Sequence, residues 1–499
     1  MTTSRTSKVF ALSLGQGLST LVALASGMVM ARILSQTELA TYRQTMLAYD
    51  VAIPLLSLGL STGIYYFLPT EKSRARGLVA DGLVMMLVMG LLYALFIALG
   101  GNNLLAKRFS NPAVVHTLVY LIPLPIVMLP AGLLASVMVV QNRINSLTLY
   151  NVLTGLFLAT SIIVACLLWK TPEAMILMRV GVSIALGFIA IALIVQALPR
   201  DEWRPRWSSM KALVAFSLPL VLAGMLGTLS LQLDKVIVSS MCSPEAFAVY
   251  STGALEIPFI GIMTGSIMIV VLPDLRRMIG AGDKQAALTL FRVAAEKSAM
   301  VLIPVTVFLM ISAESFVQTL FSSKYADSVL PFRLYLLIVP VRIVTLGVFM
   351  TALGLNRIIL YRAAVGLAVN AILGVLFVRW MGFIGAILAT ILSLYFIEVA
   401  WSLRAISRAV GCRWREILPF GFLFRLTWVS VLASVPAVCL INSNHNLSAP
   451  CLLGASGLGF ALSLFSAMWL FNVKEFKEEF RKMGKWVAVR LVPNPRSHL

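Results

Sequence analysis

Asp50, Arg179, Asp234, Lys235, Glu256, Arg342 and Glu398 all fall inside long apolar runs of the sequence. An ionisable side chain at bilayer depth costs about 2.5–3.5 kcal/mol on insertion scales, so each is a functional candidate by default. The cations Arg179, Lys235 and Arg342 suit an anionic headgroup, and arginine adds forked hydrogen bonds to phosphate. The carboxylates Asp50, Asp234, Glu256 and Glu398 suit a coupling proton or Na⁺, or partnership with those cations. Each residue also has a plainer reading, as a structural interhelical pair or a side chain snorkelling to an interface. Asp234 and Lys235 are adjacent, so about 100° of helix rotation separates them and their partners differ. Arg143 and Arg357 end apolar runs in a repeated setting, Asn142-Arg143-Ile144 and Asn356-Arg357-Ile358. They read as anchors at one membrane face, or as residues that meet a charged headgroup on arrival.

The elements that hold these residues follow from composition. Of 499 residues, 60% are apolar and 12% charged, and the mean hydropathy is +0.93. A soluble domain carries roughly 25% charged residues. The apolar residues form blocks of about 20, the length that crosses a hydrocarbon core as a helix. Strand-length runs are absent, so the expected class is all-α and polytopic. The blocks lie at roughly 9–34, 42–68, 78–99, 113–140, 147–168, 174–198, 211–241, 246–273, 291–313, 328–354, 360–378, 383–405, 420–441 and 450–472, about fourteen spans. The first lacks a small-residue cleavage site and reads as a span rather than a signal peptide. Segments 42–68 and 246–273 are the least apolar. Such helices persist in membranes where neighbours or a water-filled cavity satisfy the loosened backbone.

With the N-terminus in the cytoplasm, 29 of the 40 Lys and Arg residues fall on the cytoplasmic side and 8 on the other. That asymmetry orients the chain with both termini inside, in a bacterial inner membrane. It also accounts for most of the +20 net charge, which removes nucleic acid as an expected partner. The five cysteines form no C-x-x-C pair and the three histidines, His116, His445 and His498, are scattered. No metal site or thiol nucleophile is expected, and no cofactor beyond a coupling ion. Cys439 and Cys451 flank one outer loop and read as small membrane residues, with a disulfide geometrically open to them.

Residues 1–200 and 207–410 read as two copies of one six-span unit. Ser35-Gln36-Thr37-Glu38-Leu39-Ala40-Thr41-Tyr42 is matched by Ser243-Pro244-Glu245-Ala246-Phe247-Ala248-Val249-Tyr250. Ile53-Pro54 and Leu68-Pro69 recur as Ile257-Pro258 and Leu272-Pro273, and Tyr120-Leu121 with Pro125 recurs as Tyr335-Leu336 with Pro340. An even number of spans per copy gives both copies one orientation, two parallel lobes beside a cavity that suits alternating access. Asp50 and Glu256 fall at similar depth in the two copies. Two further spans occupy 420–472. In 473–499, Phe476, Phe480, Met483 and Val487 share a helical face beside Lys477, Arg481 and Lys485, a basic amphipathic tail suited to anionic membrane lipids.

Three segments carry a family likeness: Ala31-Arg32-Ile33-Leu34-Ser35 running on to Glu38 and Tyr42, Leu233-Asp234-Lys235-Val236-Ile237-Val238 with Tyr250, and Gly382-Phe383-Ile384-Gly385-Ala386-Ile387-Leu388-Ala389-Thr390. In these, and in its six-plus-six-plus-two plan, the chain resembles the bacterial oligosaccharide flippases (Wzx type, polysaccharide transporters) of the multidrug/oligosaccharidyl-lipid/polysaccharide exporter superfamily. Ala40 and Thr41 depart from the glycine that this family usually carries before its tyrosine. The Arg- and Asp-rich first span associated with lipid II flippases is also missing, since only Arg5, Lys8 and Arg32 flank span 1. The resemblance implies translocation of an undecaprenyl-pyrophosphate-linked oligosaccharide to the periplasmic leaflet for surface polysaccharide, with polymerase and export proteins as partners. It implies no covalent chemistry. One rival is a cation-coupled drug or metabolite antiporter of the same superfamily, and Arg342, Lys235 and Arg179 speak against its cationic substrates. Another is a glycan polymerase or ligase, for which an outer loop of only 14 residues near 314–327 leaves little room. No G-x-x-x-x-G-K-[ST] sequence occurs, so ATP hydrolysis is not expected.

Overall fold

The computed structural model describes residues 21–200, 202–255, 257–343, 345–443 and 447–471, and they are helical almost throughout, with no strand among them. The helices used below are α1 (Leu21–Ile33), α2 (Gln36–Leu56), α3 (Leu60–Phe67), α4 (Ala75–Phe96), α5 (Ile144–Leu168), α6 (Pro172–Ala197), α7 (Trp207–Met241), α8 (Pro244–Gly253), α9 (Asn356–Met381), α10 (Phe383–Leu392), α11 (Ala400–Val410), α12 (Phe420–Ala433) and α13 (Ala449–Leu470).

Ten helical stretches among the described residues are long and apolar enough to cross a membrane, or eleven if Ser323–Leu336 and Val339–Ala352 form one bent span. The ten coincide with the expected segments from 42–68 to 174–198, and with 291–313, 360–378, 383–405, 420–441 and 450–472. The expected span 211–241 is the 35-residue helix α7. The expected 246–273 divides between α8 and the helix Pro258–Gly280. Of the first span, Leu21–Ile33 is described, and the amphipathic tail lies outside the described residues. The chain is a multi-pass membrane protein.

The helices cluster into two compact units. One comprises the described residues of Met1–Ile262 with Leu330–Tyr335 and Leu355–Ser402, and the other those of Met263–Val329, Leu336–Gly354 and Leu403–Leu499. In the first unit, Leu60, Ile64 and Leu68 of the second span pack against Leu78, Val79 and Met86 of α4, with Leu133, Val137, Ile194 and Leu213 closing the core. In the second, Phe291 stacks on Phe349 with centroids 4.7 Å apart, and Phe308 stacks on Phe460 of α13. Cys439 and Cys451 are both free and exposed.

The poor apolarity of segment 42–68 has a structural counterpart. Pro54 sits inside α2, and Leu58 and Gly59 take the left-handed conformation before the chain resumes as α3. Proline removes one backbone donor and glycine tolerates positive φ, so the span is broken rather than continuous. A second irregularity, the π-helical segment Ser393–Val399, lies between α10 and α11 and carries Glu398. Insertions of this kind re-aim side chains and recur at functional positions.

Small residues set the closest helix approach. At Gly385 in α10, an added Cβ would lie 2.3 Å from the backbone of Phe377 in α9. The expected cost of Gly385→Ala is about 1–3 kcal/mol of overpacking, seen as a lower unfolding temperature in detergent. Gly421→Ala in α12, where a Cβ meets nothing within 4 Å, should leave that temperature unchanged.

Candidate functional site

The first unit gathers the ionisable residues of α2, α6 and α7. Ser35 caps α2, its hydroxyl accepting from the Glu38 N–H while the Glu38 carboxylate accepts from the Ser35 N–H, a complete capping box. One turn on, the buried Tyr42 phenol accepts a 3.1 Å hydrogen bond from Nη1 of Arg179 on α6. Two turns further along α2 is Asp50, within electrostatic range of Arg179 and of Lys235 on α7. Asp50 is accessible to solvent although protein surrounds it on most sides.

Beside these residues a shallow crevice of about 10 Å³ is lined by Val51, Pro54 and Leu55 of α2 and by Met225, Leu229 and Gln232 of α7. Asp50 and Pro54 are four apart and Gln232 and Lys235 three apart, so the crevice and the charges share one face of each helix. Tyr49 and Tyr93 interact with Asp50 from α2 and α4. The Tyr93 hydroxyl is buried and has no hydrogen-bond partner among the described residues, a donor still available at the site.

Asp234 is buried and separately held. The Tyr250 phenol of α8 donates to its Oδ2 over 2.6 Å, and the Lys235 N–H donates to its Oδ1. Neighbours in sequence, Asp234 and Lys235 thus turn to different partners, as their helix geometry requires. α2 and α8 also touch each other. Thr37 Oγ1 donates to Glu245 Oε1 over 2.9 Å, and Arg43 Nη1 donates to the hydroxyls of Ser251 and Thr252, each over 2.7 Å. Hydrogen bonds from its own backbone N–H and from Thr37 hold the exposed Glu245 carboxyl below the usual carboxylate range.

The other expected site residues are placed elsewhere. Glu398 faces Arg362 of α9 at 4.0 Å, with Arg362 Nη1 donating to Ser402 Oγ over 2.5 Å, so it occupies an interhelical pair. Arg143 and Arg357 are exposed at the starts of α5 and α9. Arg342 is exposed on the short helix Val339–Ile343 of the second unit. Glu256 lies outside the described residues.

Sequence reasoning missed one buried charge. Asp81, fully buried near the start of α4, pairs with Arg74 at 3.0 Å and accepts the Arg206 N–H over 2.6 Å. Arg74 also donates to the Arg204 carbonyl, and Arg76 lies over the Trp203 ring at 5.5 Å. The segment before α7 is thereby fastened to α4. The signal was present, since Asp81 falls within the apolar run 78–99 and passes the test applied to Asp50.

With this arrangement in view, the fold is that of the transporters of the MOP superfamily. The lipid II flippase MurJ in its inward closed conformation matches with a TM-score of 0.73 at 14% identity, over 93% of this chain and 99% of that one. An inward-facing multidrug resistance MATE transporter matches at 0.62 and 14%, over 79% and 96%. The Vibrio cholerae MATE transporter VcmN matches at 0.53 and 16%, over 81% and 97%. The profile of the polysaccharide biosynthesis proteins matches residues 29–330, and the chain belongs to that family. A search of curated protein sequences gave no match.

Removing one partner of a buried pair leaves an uncompensated charge. Asp81→Ala is therefore expected to cost about 3–5 kcal/mol, while Glu202→Ala, which breaks the exposed pair with Arg204, costs about 0–1 kcal/mol. Thermal unfolding of the two variants in detergent compares them directly.

Proposed function

We propose that this protein flips a polyprenyl-pyrophosphate-linked oligosaccharide from the cytoplasmic to the periplasmic leaflet of a bacterial inner membrane, for surface polysaccharide synthesis. The observation that carries the reading is the grouping of Asp50, Arg179 and Lys235 within the spans of a polysaccharide biosynthesis protein, with Arg179 held by the buried Tyr42. Arg179 and Lys235 present two cations to a pyrophosphate, while the nearby Asp234 is held by Tyr250.

Flipping needs no bond to be made or broken. It needs a polar path for the sugar and phosphate while the lipid tail stays in hydrocarbon. In the empty site Asp50 is the counter-ion of Arg179 and Lys235. An arriving phosphate replaces it, since guanidinium and phosphate form charge-assisted hydrogen bonds. The displaced carboxylate then needs a new partner, and a proton or Na⁺ supplies one. Substrate and ion are coupled through Asp50, because the phosphate takes its two cations and the ion then takes its carboxylate. Tyr93 contributes a hydroxyl donor beside Asp50. The exposed Arg143 and Arg357 act as further cations for the arriving headgroup, and Glu398 and Asp234 keep their pairings during transport. Both termini lie in the cytoplasm in this reading, and a polymerase and export proteins consume the product.

The chain is proposed to comprise two parallel six-span copies, 1–200 and 207–410, followed by two added spans. Ser35 and Ser243 cap their helices alike, with φ/ψ of −68°/164° and −67°/159°, which supports the duplication locally.

In a strain lacking the gene, Arg179→Ala and Lys235→Ala are each expected to reduce surface polysaccharide at least about tenfold while the protein still reaches the membrane. A lost buried charge contact of about 1.4 kcal/mol already gives that factor. Full complementation by both variants, with deletion sensitising cells to cationic drugs and leaving the surface glycan intact, is the outcome expected of an antiporter instead.

A further inference from the structure

The tyrosines that end the two matched segments do more than mark a repeat. Tyr42 and Tyr250 each stand seven residues after the capping serine, each is buried, and each phenol is committed to an ionisable residue on another helix. Tyr42 accepts from Arg179, and Tyr250 donates to Asp234. Hydrogen bonds with a charged partner are the stronger class, and burial makes them costly to leave unmade.

The residue after each tyrosine forms the contact between the two helices. Arg43 follows Tyr42 and Ser251 follows Tyr250, and these two are joined at 2.7 Å. Arg43 also reaches Thr252 and the Ala248 carbonyl, and Thr37 bonds Glu245 nearly two turns away. Adjacent helical residues point about 100° apart. A single turn of α2 therefore holds the seam with one side chain and Arg179 with the next, and α8 does the same with Asp234. A shift of Arg179 or Asp234 pulls on a helix that also carries the seam.

We propose that Tyr42 and Tyr250 are positioning residues that couple the α2–α8 seam to the charged site, so that the seam parts when Arg179 exchanges Asp50 for substrate. The inference rests on the transport reading, in which the two helices must separate during the cycle.

The test is a cross-linking cycle in native membranes. Cys166, Cys242, Cys412, Cys439 and Cys451 are replaced by serine, and Thr37→Cys with Glu245→Cys reports the seam through a short bis-methanethiosulfonate reagent. Both positions are exposed. The cross-linking rate is measured in this background and with Asp50→Asn, Tyr42→Phe and the two together. Asp50→Asn is expected to change the rate about threefold or more when Tyr42 is present, and by less than about half that factor with Tyr42→Phe, the signature of coupled residues. The same factor in both backgrounds, or no change in either, overturns the proposal, because a tyrosine that only packs shifts both rates equally. Should Tyr42→Phe fail to insert, Arg179→Lys takes its place in the cycle with the same expectation. No glycan is present in the cross-linking reaction. An additive cycle alongside normal surface polysaccharide removes the coupling alone, whereas intact surface polysaccharide in the deletion strain removes the transport reading.

Discussion

A charge inside a bilayer must have a partner or a path to water, and the arrangement of this protein follows from how each buried charge meets that demand. Asp81 is answered by Arg74 and a backbone N–H, Asp234 by Tyr250, and Glu398 by Arg362. These pairings are local, and they tie helix to helix. Asp50 is answered differently. It has two cations within range and an open approach, and the hydroxyl of Tyr93 is unspent beside it. Saturated pairs lock a structure, whereas a shared and accessible one can exchange partners.

The backbone obeys the same demand. Where a span is interrupted, as at Pro54 to Gly59 or in the π-helical segment that carries Glu398, the loosened groups sit within the bundle beside polar side chains. The crevice at Pro54 lies one helical turn from Asp50 on α2. Low hydropathy, helix breakage and charge thus coincide on the second span. Each is unfavourable alone in hydrocarbon, and each is tolerable on a wetted wall.

Much of this was legible in the sequence. The helical class, ten of the span positions and the candidacy of Asp50, Arg179 and Lys235 follow from apolar block length and from charges inside those blocks. The family likeness read from residues 31–42 and 233–250 agrees with the profile match. Partnership was not legible, because it depends on which helices meet. Nothing in spacing pairs Tyr42 with Arg179 or Arg362 with Glu398, which are 137 and 36 positions apart. Asp81 lies inside an apolar run as Asp50 does, and only the fold shows that it is completely buried. The tyrosines were noticed as repeat markers, and only contact geometry gives them a role.

The central claim is that the site built on Asp50, Arg179 and Lys235 carries a lipid-linked glycan across the membrane. Its most direct measurement uses purified protein in proteoliposomes containing a polyprenyl-pyrophosphate-linked oligosaccharide, with an added glycosidase reporting which leaflet holds the sugar. The account predicts that the protein makes the inner-leaflet fraction accessible and that Arg179→Ala abolishes this at equal incorporation. Accessibility no faster than in protein-free vesicles, or equally fast with Arg179→Ala, would contradict it.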